Sequence, residues 1–171
     1  MNISLIGMMG SGKSTIGKLL KIKLSDYRFI DTDEEIIKKE NMSINEIFAQ
    51  KGEEYFRRIE TEVLNRILSN NNQIISTGGG IIKSEENIKN LKEKSIVFYL
   101  KAEGTELCKR VKNNKERPLL NVENMYEKIK ILLNEREKNY KQAHYIISTD
   151  NKTPEEITNE ITGIINDNSR S

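Results

Sequence analysis

The stretch GMMGSGKS, residues 7–14, decides how the rest of the chain is read. It matches G-x-x-x-x-G-K-[ST], with an apolar run before it (ISLI, 3–6) and a helical pattern after it (TIGKLLKIKL, 15–24), the strand–loop–helix context that the pattern needs. Glycines let backbone N–H groups converge on phosphate oxygens with no side chain in the way. The N-terminus of the following helix adds its partial positive charge. Lys13 is placed to reach the outer phosphates of a nucleotide, and the Ser14 hydroxyl to ligate Mg²⁺. The candidate nucleotide-binding residues are therefore Gly10, Ser11, Gly12, Lys13, Ser14 and Thr15, and the motif implies a bound nucleoside triphosphate. Because the same loop serves kinases, motors and switches, it does not by itself set a reaction.

Outward from this loop, short apolar runs alternate with longer amphipathic ones. ISLI, RFI (28–30), QIIS (73–76), SIVFYL (95–100) and YIIS (145–148) read as strands. Most lack the polar alternation of a half-exposed sheet, as expected of strands covered on both faces. Ser43 with Glu46, and Thr153-Pro154 with Glu156, are capping boxes that start helices. The βαβα order predicts an α/β domain spanning residues 1–171, one parallel sheet with helices on both sides. The loop NNN (70–72) separates a helix from a strand, and the tail from Asn166 is expected to fray. NNKERPLLN (113–121) breaks the rhythm and reads either as a mobile lid or as an ordinary surface loop.

The second metal-side element of such a loop is usually an acid ending a buried strand. Here QIIS runs instead into Ser76-Thr77-Gly78-Gly79-Gly80, leaving Asp31 and Asp33 of FIDTDEEI (29–36) as the candidates. Each also has a bland explanation: Asp33 as a helix start, Asp31 as a turn residue. Ser76 is the better candidate for a metal-side hydroxyl than Thr77.

Charges also appear where apolar residues belong. In EEYFRRIETEVLNRIL (53–68) the apolar stripe is Phe56, Ile59, Val63 and Ile67. At about 100° per residue Arg58 points to water, where Glu53, Glu54 and Glu62 would pair it. Glu60 lies almost on the stripe and, if buried, needs a partner, which Arg57 supplies. In the helix near 123–142, Arg136 falls among Met125, Ile129, Leu132, Leu133 and Tyr140. It lines a cavity or pairs with an internal acid such as Asp31 or Glu60. Only eight of the 28 basic residues are arginine, a bias that keeps Arg57, Arg110, Arg117 and Arg136 in view as planar forks for carboxylate or phosphate.

Composition limits the classes. A net charge of +2 gives no reason to expect a nucleic-acid or membrane surface. The one cysteine, Cys108, suits a reducing compartment, and no run has the length to span a bilayer, so a soluble cytoplasmic protein is expected. Cys108 reads as a core residue and the single histidine, His144, as structural or exposed.

GMMGSGKST, FIDTD, GEEYFRRIE, GGG, RPLL and REKNY, in this order and spacing, resemble the shikimate kinase family, from the first strand to about Tyr140. The resemblance implies a P-loop, nucleoside-monophosphate-kinase-type fold: three αβα layers, a five-stranded parallel sheet in the order 2-3-1-4-5, an acceptor-binding segment at about 31–61 and a mobile lid at about 112–122. It implies ATP with Mg²⁺, and shikimate as the acceptor phosphorylated at its 3-hydroxyl, by a monomer. Asp33 would bind and orient the acceptor hydroxyls, and Asp31 would serve the metal side. Arg57 and Arg136 would clamp the acceptor carboxylate, Glu60 would hold Arg57, and Gly79 with Gly80 would present backbone to the acceptor. Arg117 would meet the phosphates from the lid, and Arg110 would stack on adenine. Gluconate, another carboxylate polyol, stands as the alternative acceptor.

Overall fold

The computed structural model describes residues 1–112 and 125–168. The lid expected at about 112–122, and Arg117 with it, therefore lie outside the described residues but for Lys112. The elements are β1 (Asn2–Ile6), α1 (Lys13–Lys23), β2 (Arg28–Asp31), α2 (Thr32–Glu40), α3 (Ile44–Leu68), β3 (Gln73–Ser76), a 3-10 turn (Ile81–Lys83), α4 (Glu85–Lys94), β4 (Ser95–Lys101), α5 (Gly104–Lys112), α6 (Met125–Tyr140), β5 (Tyr145–Ser148) and α7 (Pro154–Asn168). All strand pairings are parallel, in the order β2-β3-β1-β4-β5. The expected fold class and strand order are those observed.

Consecutive strand residues face opposite sides, and each side has its own core. Ile6, Ile75, Val97 and Tyr99 pack under α3 and α4, against Phe56, Ile59, Val63, Ile67, Ile88 and Leu91. Ile3, Leu5, Ile74, Phe98 and Leu100 pack under α1 and α7, against Ile16, Leu20, Ile157 and Ile161. Polar residues on these strands would have to be buried on either face, which is why the runs read as nearly continuous apolar stretches. A third cluster, Met8, Leu107, Cys108, Val111, Met125 and Ile129, ties the phosphate loop to α5 and α6 and confirms Cys108 as core.

Both capping boxes are made. Ser43 and Glu46 exchange side-chain and backbone bonds at the start of α3, as Thr153 and Glu156 do at α7. Inside α3, Gly52 adopts φ 83°, ψ 171°, a kink that separates the capped first turns from the helix that carries Arg57 and Glu60.

Three expectations are corrected. The cap of α2 is Asp31, not Asp33: its carboxylate accepts the Asp33 N–H at 3.0 Å. Arg58 faces out as expected, but its guanidinium lies over the Tyr55 ring at 5.0 Å, while Glu53 pairs with Lys83 and Glu62 with Lys39. The C-terminal helix continues through Asn168, whose side chain meets the Tyr145 hydroxyl, past Asn166, the expected start of the tail. His144 is structural: its Nδ1 accepts the Val97 N–H at 3.0 Å, next to the β4–β5 ladder, and burial lowers its pKa. Among the described residues no helix is long and apolar enough to cross a membrane.

Register places the site. Asp31 of β2 lies opposite Ser76 of β3, and Ser76 opposite Leu5 of β1, so three adjacent strands end level. The approach of α1 to β2 is equally tight, because a Cβ at Gly17 would sit 2.3 Å from Cε2 of Phe29. Gly17→Ala should therefore lower the unfolding free energy by a net 1–2 kcal/mol, roughly, since the clash outweighs alanine's better helix propensity. Urea denaturation checks this, and an unchanged or raised stability would refute the packing argument.

Candidate active site

The phosphate loop leaves β1 and closes at Gly12, which holds φ 92° as the N-cap of α1, a left-handed conformation natural to glycine. Lys13 is folded against the loop it belongs to. Its Nζ donates to the carbonyls of Gly7 at 2.8 Å and Met8 at 3.0 Å. The Ser14 hydroxyl donates to Asp31 Oδ2 at 2.8 Å and lies 3.2 Å from Ser76 Oγ. One residue thus answers both readings of FIDTDEEI: Asp31 caps α2 with one oxygen and meets Ser14 with the other. Thr77 takes no part, its hydroxyl donating to the Leu5 carbonyl at 3.0 Å. Ser14, Asp31 and Ser76 form a small set of hard oxygens, the donors that Mg²⁺ takes when phosphates and water complete its shell. The residues present fit that ion.

The glycine run occupies the next strand end. Gly78 donates its N–H to Thr32 Oγ1 at 3.0 Å, and a Cβ there would fall 2.8 Å from Asp33 Oδ1 and 3.0 Å from Glu60 Oε1. A Cβ at Gly80 would fall 2.6 Å from Arg57 Nη1. Two carboxylates and a guanidinium therefore pack on bare backbone. Arg57 donates to Glu60 Oε2 at 2.7 Å and, at 3.4 Å, to Glu53, which also takes Lys83. The aromatic faces of Phe56 and Phe48 lie 5.0 and 6.0 Å from the guanidinium. Glu60 is buried, with its Oε1 lacking a hydrogen-bond partner. Desolvation raises its pKa, against the opposing pull of Arg57, and the nearby Asp33 charge adds to the rise.

Arg136, on α6, donates Nη1 to the Gly79 carbonyl at 3.2 Å, and its Nε is buried with no partner. Among the described residues it pairs with no carboxylate, so the internal pair with Asp31 or Glu60 is not formed. The Tyr140 hydroxyl donates to the same carbonyl at 2.6 Å, and Asn139 to that of Ile82 at 2.9 Å. At the other end, Arg110 is held flat by three bonds: Nε to Glu106, Nη1 to Thr149 Oγ1 and Nη2 to the Thr149 carbonyl, all within 3.0 Å.

A cleft of about 850 Å³ runs from Asp33 and Gly79 along Gly10–Thr15 to Arg110, Lys152 and Pro154. Arg57, Glu60 and Arg136 gather around Gly78–Gly80, which borders one end of it. Lys152 and Pro154 were not legible as site residues, since capping accounts for Thr153-Pro154. The signal that finds them is topological: they follow β5 at the rim where a parallel sheet presents the carboxyl ends of its strands.

The family model for shikimate kinase matches residues 9–166. A shikimate kinase of Persephonella marina is 46% identical over 164 residues, covering 96% of this chain and 98% of its own length. The solved shikimate kinase of Acinetobacter baumannii in complex with shikimate is 39% identical, with TM-score 0.90 over 98% of this chain and 93% of that one. That of Aquifex aeolicus is 38% identical, with TM-score 0.83 over 100% and 99%.

The Arg57–Glu60 pair carries a pH signature. Because folding raises the Glu60 pKa, ionising it costs stability: the cost is absent below the ordinary glutamate range and grows as pH rises through the folded value. Arg57 offsets it. Arg57→Ala should lose up to about 3–5 kcal/mol at a pH of about 8, and less at pH 4.5, glutamate's ordinary value, where the raised Glu60 is mostly protonated and needs no cation. Equal deficits in denaturation at the two pH values would count against a buried, charged Glu60.

Proposed function

Because this chain belongs to the shikimate kinase family, we propose that it transfers the γ-phosphoryl group of ATP to the 3-hydroxyl of shikimate, giving shikimate 3-phosphate and ADP. It is a phosphotransferase acting on an alcohol, in the branch of metabolism that makes aromatic amino acids. The observation that carries the residue assignment is the meeting of two arginines and Asp33 on the backbone of Gly78–Gly80, beside the phosphate loop.

Phosphoryl transfer needs positioning and charge neutralisation more than covalent help. In this reading Lys13 exchanges the carbonyls of Gly7 and Met8 for phosphate oxygens, and the N–H groups of Gly10 to Thr15 hold the rest of the chain of phosphates. Arg110, kept flat by Glu106 and Thr149, offers its face to the adenine. Asp33 accepts the hydrogen bond of the acceptor hydroxyl and orients it for attack. Arg57 and Arg136 take the acceptor carboxylate between two planar forks, with Glu60 fixing Arg57 and with the Gly79 and Gly80 backbone against the acceptor ring. Ser14 and Asp31, with Ser76 beside them, would hold Mg²⁺, whose charge offsets that of the phosphates. Arg117 would add a further cation to the phosphates. The chain acts as one unit, a monomer in the cytoplasm, with its acceptor-binding segment at 31–61.

Gluconate shares the carboxylate and the hydroxyls, so the test compares acceptors. ADP release with MgATP should be stimulated by shikimate and not by gluconate, AMP or CMP. Asp33→Asn should abolish that stimulation, a fall of at least about 10²-fold, while leaving the Kd for ATP within about threefold. A loss of ATP affinity comparable to that of Lys13→Ala would remove Asp33 from the acceptor side; stimulation by gluconate instead would change the acceptor and keep the two carboxylate forks, and stimulation by AMP or CMP would reassign both arginines.

A further inference from the structure

The Gly79 carbonyl receives two donors, the Tyr140 hydroxyl at 2.6 Å and Arg136 Nη1 at 3.2 Å, one for each of its lone pairs. The two donors are not equally fixed. Tyr140 is fully buried, its ring stacked on Tyr99 with centroids 4.8 Å apart and planes 11° apart, so the core sets its hydroxyl. Burial pushes that phenol up to about 12, with Arg136 pulling the other way, and it stays a donor at any working pH. Arg136 is only half-buried and underused. Its Nη1 has the Gly79 carbonyl and a distant Met8 sulfur at 4.0 Å, and its Nε has nothing. A guanidinium in that state has more to gain from a carboxylate, which takes two of its N–H groups at once.

We infer that Tyr140 is a positioning residue for acceptor binding: its hydroxyl keeps the Gly79 carbonyl hydrogen-bonded while Arg136 leaves it for the carboxylate of the acceptor. This rests on the reading of Arg136 as a carboxylate fork. The peptide that Tyr140 holds is also the seat of the other fork, because the Gly79 carbonyl and the Gly80 N–H share one plane and the Arg57 guanidinium packs on Gly80. Without the hydroxyl, each acceptor that recruits Arg136 would leave that carbonyl without a donor and free the plane to turn.

Tyr140→Phe keeps the ring stack, and in the free enzyme Arg136 still satisfies Gly79. The melting temperature without shikimate should therefore move little. The Kd and KM for shikimate should rise about tenfold, with kcat and the KM for MgATP changed less than about twofold. The methyl ester of shikimate, which has no carboxylate to draw Arg136 away, should bind both proteins alike. An unchanged shikimate affinity, an equal penalty on the ester, or a large loss of thermal stability with normal shikimate affinity would each overturn the inference. Arg136→Met separates the two failures: shikimate affinity unaltered by it would sink the fork reading itself, whereas a large loss there with none in Tyr140→Phe would sink the role of Tyr140 alone.

Discussion

Everything at the site depends on one row of the sheet. The parallel ladders set Asp31, Ser76 and Leu5 side by side across β2, β3 and β1. The chain leaves each of these strands at the same height and on the same side. The acid segment, the glycine run and the phosphate loop therefore start as neighbours, and short-range contacts do the rest: Ser14 to Asp31, Ser14 to Ser76, Gly78 to Thr32. A one-residue slip in any of the three strands would turn each of its side chains to the other face and break both cores at once, so the packing that stabilises the fold also fixes the geometry of the cleft.

The cations of the site are held in two ways. Arg57 is tied to a buried carboxylate, a charge-assisted bond that fixes its direction. The bonds of Lys13 to Gly7 and Met8, and of Arg136 to Gly79, go to backbone carbonyls, neutral acceptors whose hydrogen bonds are weaker than those to an anion. The first arrangement suits a group that must already point the right way when a ligand arrives. The second suits groups that turn from the protein to the ligand, since phosphate or carboxylate outbids a carbonyl. Glycine permits both, because its missing Cβ lets charged groups lie against the chain itself.

Much of this was legible in the residues. Unbroken apolar runs marked strands covered on both faces, and the capping boxes marked two helix starts. Arg57 and Glu60 stood out because helical periodicity put charge on an apolar stripe, and their contact at 2.7 Å is local, three residues apart. What was hidden is long-range contact between side chain and backbone. Nothing periodic tells that Tyr140 reaches Gly79, 61 residues away in sequence, or that Asn139 reaches Ile82. The role of Asp31 as cap was obscured because Asp33, two residues on, is an equally good capping type. Arg58 was given acidic partners by spacing, but an aromatic ring at i−3 took it instead. Lys152 and Pro154 enter the cleft through topology alone.

Gly79 is where the two halves of the cleft touch. A Cβ there would lie 3.4 Å from the Met9 nitrogen and 3.5 Å from the Gly7 oxygen, so the joint is backbone against backbone. Side chains meet only to either side of this joint, Ser14 with Asp31 and Met8 with Arg136 and Tyr140. Substitutions on α3 around Arg57 and Glu60 can therefore reshape that end of the cleft without touching the phosphate loop, whereas α6 is packed on the loop through Met8. At such a joint a Cβ would already touch the phosphate loop, and a side chain reaching further toward it would push the glycine run away, so the two strand ends meet this closely because the smallest residue in the chain stands between them.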